Sequence, residues 1–312
     1  MRNRLIVFLF ALLFIACGTS KNATTSSDAA AELPSALLWK IEGNGLEQPS
    51  YLFGTIHLIT SDDFFWPRGT LGAFESASSV VFEIDMDDMF DLSKQMALMT
   101  KAFMNDGMTL KDLYSEEDYE VVRSHFDGMG LPMFFLERLK PMFLTVFASG
   151  DVELGAGLGG GGNMKSYEME LFELSQQSEK EVEGLESIEF QMSVFDSIPY
   201  QVQADMLLET IKMADSEGDT FKQMIDMYKQ QDINRMVSAM SEDEGIEGYD
   251  DLLLNNRNAN WIPVMAEKMK KGPVFFAVGA GHLGGEEGVV RLLQKEGYSL
   301  EALSTAKDGT HN

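Results

Sequence analysis

Apolar and polar positions change rhythm twice along the chain. "ALLWKIEG" and "SYLFGTIHL" are short apolar runs parted by the turn-forming "NGLEQP", and "SSVVFEIDM" is a third run ending near Glu83. These read as strands, with a short helix in "PRGTLGAFESA" between the second and third. From Phe90 to about Ser241 the period becomes helical, with methionine and phenylalanine on the apolar faces. In "SEEDYEVVRSHF", Ser115 is a cap candidate and Tyr119, Val122 and Phe126 recur at helical spacing. A helix at "YEMELFELSQQS" and a short strand near "EVEGLES" follow. The alternation then returns, with a long helix in "YDDLLLNNRNANWIPVMAEKMKKG", a buried strand in "PVFFAV", a helix in "EEGVVRLLQKEG" and a closing strand in "YSLEAL". Strands at both ends and helices between them predict an α/β fold. Its central sheet is built from the N- and C-terminal segments of one domain over residues 36–305, with a large helical insertion at about 90–250 and a tail at 306–312.

Composition narrows the partners. Lysine and arginine number 24 against 50 acids, a formal net charge of -26. Such a chain repels phosphate backbones, which argues against nucleic acid; solubility is the simplest use of the charge. The 21 methionines suit irregular helix packing better than a promiscuous groove. The opening "MRNRLIVFLFALLFIACG" has a basic start, an apolar centre too short to span a bilayer comfortably, and small residues before Cys17. This predicts an export signal over residues 1–17. Because Cys17 is the chain's one cysteine and "FIAC" resembles a bacterial lipobox, the expectation is a lipoprotein with Cys17 acylated and anchored in membrane lipid. An ordinary signal peptide with an incidental cysteine is the alternative. Residues 18–35 are small and polar and read as a flexible tether. Gly18 replaces the aspartate that commonly retains such proteins at the inner membrane, which points to the outer membrane of the cell envelope. "GAGLGGGGN", residues 155–163, predicts a mobile loop, either a lid or a plain linker.

Candidate chemistry lies in the histidines. The chain has four, and His57 and His282 share a Gly-x-x-His setting, in "YLFGTIHLIT" and "FFAVGAGHLGG". His125 falls within a helix and reads as structural or exposed, and His311 lies in the tail. His57, Glu83 and His282 each fall at or just past the carboxyl end of a predicted strand, the edge where α/β sheets bind ligands. Glycine beside each histidine is expected to let the backbone turn sharply. Two imidazoles and a carboxylate, with water completing the set, suit a catalytic divalent metal such as zinc. The same three side chains suit metal-free activation of water, with histidine as base and glutamate orienting it. A competing reading is nucleotide binding, since Gly279, Gly281 and Gly284 in "GAGHLGG" have the G-x-G-x-x-G spacing and Glu301 follows about 20 residues on. Its place at the end of the chain leaves no room for the rest of a dinucleotide half-domain.

"YLFGTIHL", "VVFEID", "VEGLES…Q", "LLLNNRNANWIPVMAEKM" and "VFFAVGAGHLGGEEGVVRLLQKEGYSL", in order from about Leu38 to Leu303, resemble the TraB/GumN family, whose eukaryotic relatives are the Tiki proteases. The resemblance implies a fold similar to the erythromycin-esterase and ChaN-like group. It also implies a metal-dependent peptidase acting on peptide or protein substrates, with manganese or cobalt as the metal. Gly54–His57, Gly279–His282 and Glu83 match its defining motifs, Arg257 and Asn258 its Arg-Asn pair, and Glu186 and Gln191 its Leu-Glu…Gln segment. Where relatives often carry Gly-x-Asp, this chain has "KSYEMEL", with Glu168 at the matching position and specificity open to change. His57, Glu83 and His282 are the expected catalytic residues and metal ligands, with Glu83 as ligand or base. Arg257 is expected to stabilise developing negative charge or to pin a carboxylate of the site, unless it merely ties its helix to the acidic fold. A non-catalytic envelope lipoprotein that binds or regulates on the same fold is the other function class.

Overall fold

The computed structural model describes residues 32–89, 91–148, 163–215, 219–241 and 248–304. Cys17, nearly all of the expected tether, the glycine run before Asn163, and the tail with His311 lie outside the described residues.

In chain order the strands are β1 (Leu38–Gly43), β2 (Ser50–Thr55), β3 (Ile59–Thr60), β4 (Ser79–Ile84), β5 (Met164–Lys165), β6 (Glu181–Glu186), β7 (Val274–Gly279) and β8 (Tyr298–Ser304). Helix α1 (Thr70–Ser76) lies between β3 and β4. After β4 come α2 (Leu92–Lys101), α3 (Leu110–Leu113), α4 (Glu116–Gly128), α5 (Met133–Leu136) and α6 (Pro141–Ala148). Next are α7 (Tyr167–Gln177), α8 (Ile188–Asp196), α9 (Tyr200–Asp215), α10 (Asp219–Lys229), α11 (Ile233–Ser241), α12 (Asn256–Met269) and α13 (Val289–Lys295). Six strands form one sheet in the order β6-β4-β7-β2-β1-β8. β2, β7, β4 and β6 run parallel, and β1 pairs antiparallel with both β2 and β8. The mixed α/β architecture is the expected one.

The local sequence explains the order. A central parallel strand is covered on both faces, so it reads as an unbroken apolar run. β7, "VFFAVG", is buried along nearly its whole length between β4 and β2. Its neighbours Leu52, Phe53, Val80, Val81 and Phe82 join the same core, which α7, α12 and α13 cover with Tyr167, Trp261, Met265 and Leu293. A second cluster lies within the helical stretch, where Val122, Phe126, Leu144, Leu207 and Ile211 pack α4, α6 and α9 together. Ser115 caps α4 by accepting from the Asp118 N–H. Met86, Met104, Met133, Met265 and Met269 are buried fillers, as expected, but Met96 and Met99 face outward on α2 beside an exposed Leu92.

Two features depart from the sequence reading. β6 comes from the helical stretch yet forms the edge of the main sheet, so the sheet is not built from the chain ends alone. β3 and β5 pair as a two-stranded sheet, too short to leave any apolar period. The glycines in "GAGHLGG" do not open a dinucleotide unit. Ala280–His282 form a single 3-10 turn, α13 begins only at Val289, and β8 returns antiparallel beside β1 instead of parallel beside β7.

β4 and β6 sit close because Gly184 has no side chain. A Cβ there would lie 2.5 Å from the Asp85 backbone nitrogen and 2.9 Å from the Ile84 carbonyl carbon. Backbone cannot yield as a side-chain tip can, so Gly184→Ala is expected to lower unfolding free energy by about 1–3 kcal/mol. Urea titration checks it; an unchanged midpoint would mean β6 tolerates the methyl group.

Candidate functional site

Parallel β2, β4, β6 and β7 point their carboxyl ends to one edge of the sheet, which brings Thr55, Glu83, Glu186 and Gly279 together. His57 follows β2 and His282 follows β7. Neither Gly54 nor Gly279 adopts positive φ, so the expected sharp turning is not their role. Gly54 allows close approach instead: a Cβ there would lie 2.9 Å from Leu283 Cδ2 and 3.1 Å from Ala280 Cα. The two Gly-x-x-His segments therefore pack on each other, and the Tyr228 hydroxyl of α10 donates to the Gly54 carbonyl at 2.9 Å.

His57 and Glu168 form the open part of the site. The His57 ring is 80% exposed, and its Nδ1 lies 3.0 Å from Glu168 Oε1. Glu168, in the first turn of α7, also accepts from Thr55 Oγ1 at 2.7 Å and Ser166 Oγ at 2.9 Å. With Nδ1–H directed at the carboxylate, Nε2 is the ring nitrogen left facing outward. The Glu168 charge, then its hydrogen bond, raises the His57 pKa above the ordinary imidazole range. In chelator-treated protein, the His57 ring is expected to titrate above an unpaired histidine. Glu168→Gln should move it down, because a neutral amide no longer favours the cation. A proton-NMR titration reads both, and an unmoved His57 resonance would exclude Glu168 as the cause.

The buried part is centred on Arg257. Its Nη2 donates to Glu83 Oε2 at 2.6 Å and to Glu186 Oε1 at 2.7 Å. Nε donates to Glu186 at 3.0 Å, and Nη1 reaches the Leu253 carbonyl at 3.1 Å and His282 Nε2 at 3.2 Å. A guanidinium has five N–H groups, so all of them are engaged. Arg257 therefore pins carboxylates here and keeps no donor for a substrate oxyanion. Leu253 belongs to a π-helical segment, Asp251–Asn255, which runs into α12 and aims its carbonyl at Arg257. Glu83 also accepts from the Gly279 N–H at 2.8 Å, and Gln191 Nε2 lies 3.3 Å from both Glu83 and Glu186.

Asn258 sets the His282 tautomer. Its Nδ2 donates to the Glu287 carbonyl at 2.9 Å, so its Oδ1 faces His282 Nδ1 at 2.6 Å and accepts from it. Nε2 is left with the lone pair, pointed at Arg257 and 3.7 Å from Glu83 Oε1. Burial pushes the His282 imidazole down to about 4, with the Arg257 cation acting in the same direction against the pull of Glu83. Burial opposes ionisation of Glu83, but the fields of His282, Arg257 and His57 and the Gly279 N–H hold it down to about 2. At neutral pH the group is an ionised glutamate and a neutral imidazole around one guanidinium.

Glu83, Glu186, Gln191, Arg257, Asn258 and His282 are thus joined by direct contacts. His57 and Glu168 form a separate pair, linked to Glu83 and Arg257 through their electrostatic fields. His125 lies apart on α4, its ring edge-on to Phe126. Trp261 went unread in the sequence. Its ring lies 4.5 Å from the His282 ring, tilted by 44°, and 4.9 Å from the Arg257 guanidinium, and its indole N–H donates to Glu186 Oε2 at 2.9 Å. Its position four residues after Arg257 on one helix was the available signal.

The donor types suit a divalent ion, but their arrangement does not. Among the described residues no three or more His, Cys, Asp or Glu side chains are gathered to hold one, and Arg257 stands between Glu83 and His282.

The chain is similar to Metalloprotease TIKI2 of Danio rerio, at 24% identity over 85% of this chain and 60% of that protein. It is also similar to Metalloprotease TIKI1 of Homo sapiens, at 23% identity over 85% of this chain and 61% of that protein. The chain thus spans about three-fifths of the length of these curated relatives. No solved structure matches it. A family model covers residues 37–302, from just before β1 into the body of β8. Both Gly-x-x-His segments, the carboxylates between them and all of the sheet but the last two residues of β8 fall inside that match, and the chain belongs to the TraB/PrgY/gumN family.

Proposed function

We propose that this chain is a hydrolase that cleaves peptide bonds in peptide or protein substrates, and that it depends on a divalent metal as its relatives' names imply. One observation carries the site assignment: an exposed imidazole, His57, opens beside a buried, ionised group at the ligand-binding edge of a parallel sheet. Metal dependence is supported by the metalloprotease names of the relatives and by donor type, with manganese, cobalt or zinc as the candidates. When bound, such an ion supplies Lewis acidity toward a carbonyl and lowers the pKa of water. The chain's own parts divide the remaining work. His57 Nε2, oriented through Nδ1 by Glu168, moves a proton at the attacking water or the leaving amine. Asn258 and Trp261 fix the His282 ring, and Arg257 keeps Glu83 ionised.

The deciding measurement is metal content and peptide cleavage on the same purified protein. Metal-stimulated cleavage that His57→Ala and Glu83→Gln both abolish is the expected result. Ligand binding with no turnover under any of the three metals would overturn it in favour of a non-catalytic binding or regulatory protein. The proposal also sets the chain in a bacterial cell envelope, at the outer membrane through acylated Cys17, on the sequence of the first 17 residues. Cys17→Ser should release the protein from the membrane fraction; retention of the mutant there would dismiss the lipid anchor.

A further inference from the structure

Two carboxylates of the buried group meet at a single atom. Glu83 Oε2 and Glu186 Oε1 accept from the same Arg257 nitrogen, Nη2, at 2.6 and 2.7 Å. His282 turns the lone pair of Nε2 toward the neighbouring Nη1 at 3.2 Å. Two glutamates and a neutral imidazole are the donor classes that zinc and similar ions take. Here they surround a guanidinium, with side-chain exposures of 13% for Glu83, 6% for Glu186, 6% for His282 and 10% for Arg257. Gln191 touches both carboxylates, and the Trp261 ring packs against Arg257 and His282. The two anions outnumber the one cation, so the group carries surplus negative charge with Arg257 in place.

We propose that Arg257 is the resident cation of a Glu83–Glu186–His282 cage, and that its guanidinium and a divalent metal are alternative occupants of that cage. Metal–oxygen and metal–nitrogen bonds of roughly 2.0–2.2 Å use the lone pairs that now accept from Arg257. Two cations in one small buried space also repel each other strongly. Metal can enter only where the guanidinium has left. The ligand set differs from the sequence-derived trio, with Glu186 in place of the exposed His57. The proposal rests on the metal-dependent reading only in taking the competing ion as divalent.

Calorimetric titration of Mn²⁺, Co²⁺ and Zn²⁺ into the full chain and into Arg257→Gln tests it. The variant is expected to bind one equivalent at least tenfold more tightly than the wild type, and Arg257→Gln/Glu186→Gln to lose that gain. If Arg257→Gln unfolds in chelator, one of the three ions is expected to restore its native circular dichroism and cooperative melting. Equal or weaker binding by the variant, a gain that survives in the double variant, or an unfolded variant that no ion rescues would each overturn the cage. The outcomes separate from those for hydrolysis. A wild type that cleaves peptides with metal but shows no gain in Arg257→Gln keeps the hydrolase and loses the cage. A gain without any peptide cleavage does the reverse.

Discussion

Arg257→Ala, in the presence of chelator, is expected to lose about 3–5 kcal/mol of unfolding free energy at neutral pH. Removing the guanidinium leaves Glu83 and Glu186 buried with no cation between them, and uncompensated buried charge is among the most costly single changes. The pH dependence should identify the cause. In the wild type Glu83 is held down to about 2, so its contribution is present above its unfolded range near 4.5 and is lost as pH falls toward 2. In the variant, two adjacent buried carboxylates disfavour joint ionisation, and a proton on one relieves both. The folded variant then takes up a proton more readily than the unfolded chain, so it should regain stability as pH falls through the mildly acidic range. Urea unfolding of both proteins between pH 4 and 7.5 reads the opposing slopes. Parallel slopes would mean the two carboxylates do not depend on Arg257.

His57→Ala should have the contrary profile, a loss of peptide cleavage by about 10²–10⁴ with stability within about 0.5 kcal/mol of wild type. The ring is 80% exposed, so its removal leaves no cavity and no buried charge unpaired. What it removes is the one imidazole of the site whose Nε2 faces outward, held in orientation by Glu168. Glu168→Gln should lose less than His57→Ala, because the amide oxygen can still accept from Nδ1 while no longer favouring the imidazolium. Initial rates on a peptide substrate and thermal melts of the three proteins make the comparison. A melt lowered by several degrees in His57→Ala would assign it to the fold.

Much of this is legible in the sequence. Burial on both faces leaves a long apolar signature, so β7 and β4 stood out, and strand ends placed His57, Glu83 and His282 at one edge. Less readable is β6, where "EVEGLE" mixes three glutamates with Val182, Gly184 and Leu185 and so lacks an apolar run, as befits an edge strand with one side open. That strand carries Glu186, so the second carboxylate of the buried group was named only through the family motif. The division into an exposed pair and a buried group has no local signature. It depends on the register of β4 against β6 and on which face of α12 meets the sheet. The role of Gly54 is hidden for a similar reason, since close approach of Ala280 and Leu283 is a long-range property and glycine by itself suggests a turn.

An arginine with every N–H engaged makes its partners inherit one another's mutational effects. Glu186→Gln alone should be costly, yet on an Arg257→Ala background the same exchange removes a surplus negative charge and should be near neutral or favourable. Single substitutions in Glu83, Glu186, Arg257 and His282 therefore form a strongly epistatic set whose effects cannot be summed. Along a lineage such residues change together or not at all, so a homologue lacking this arginine should also have exchanged at least one of the two glutamates.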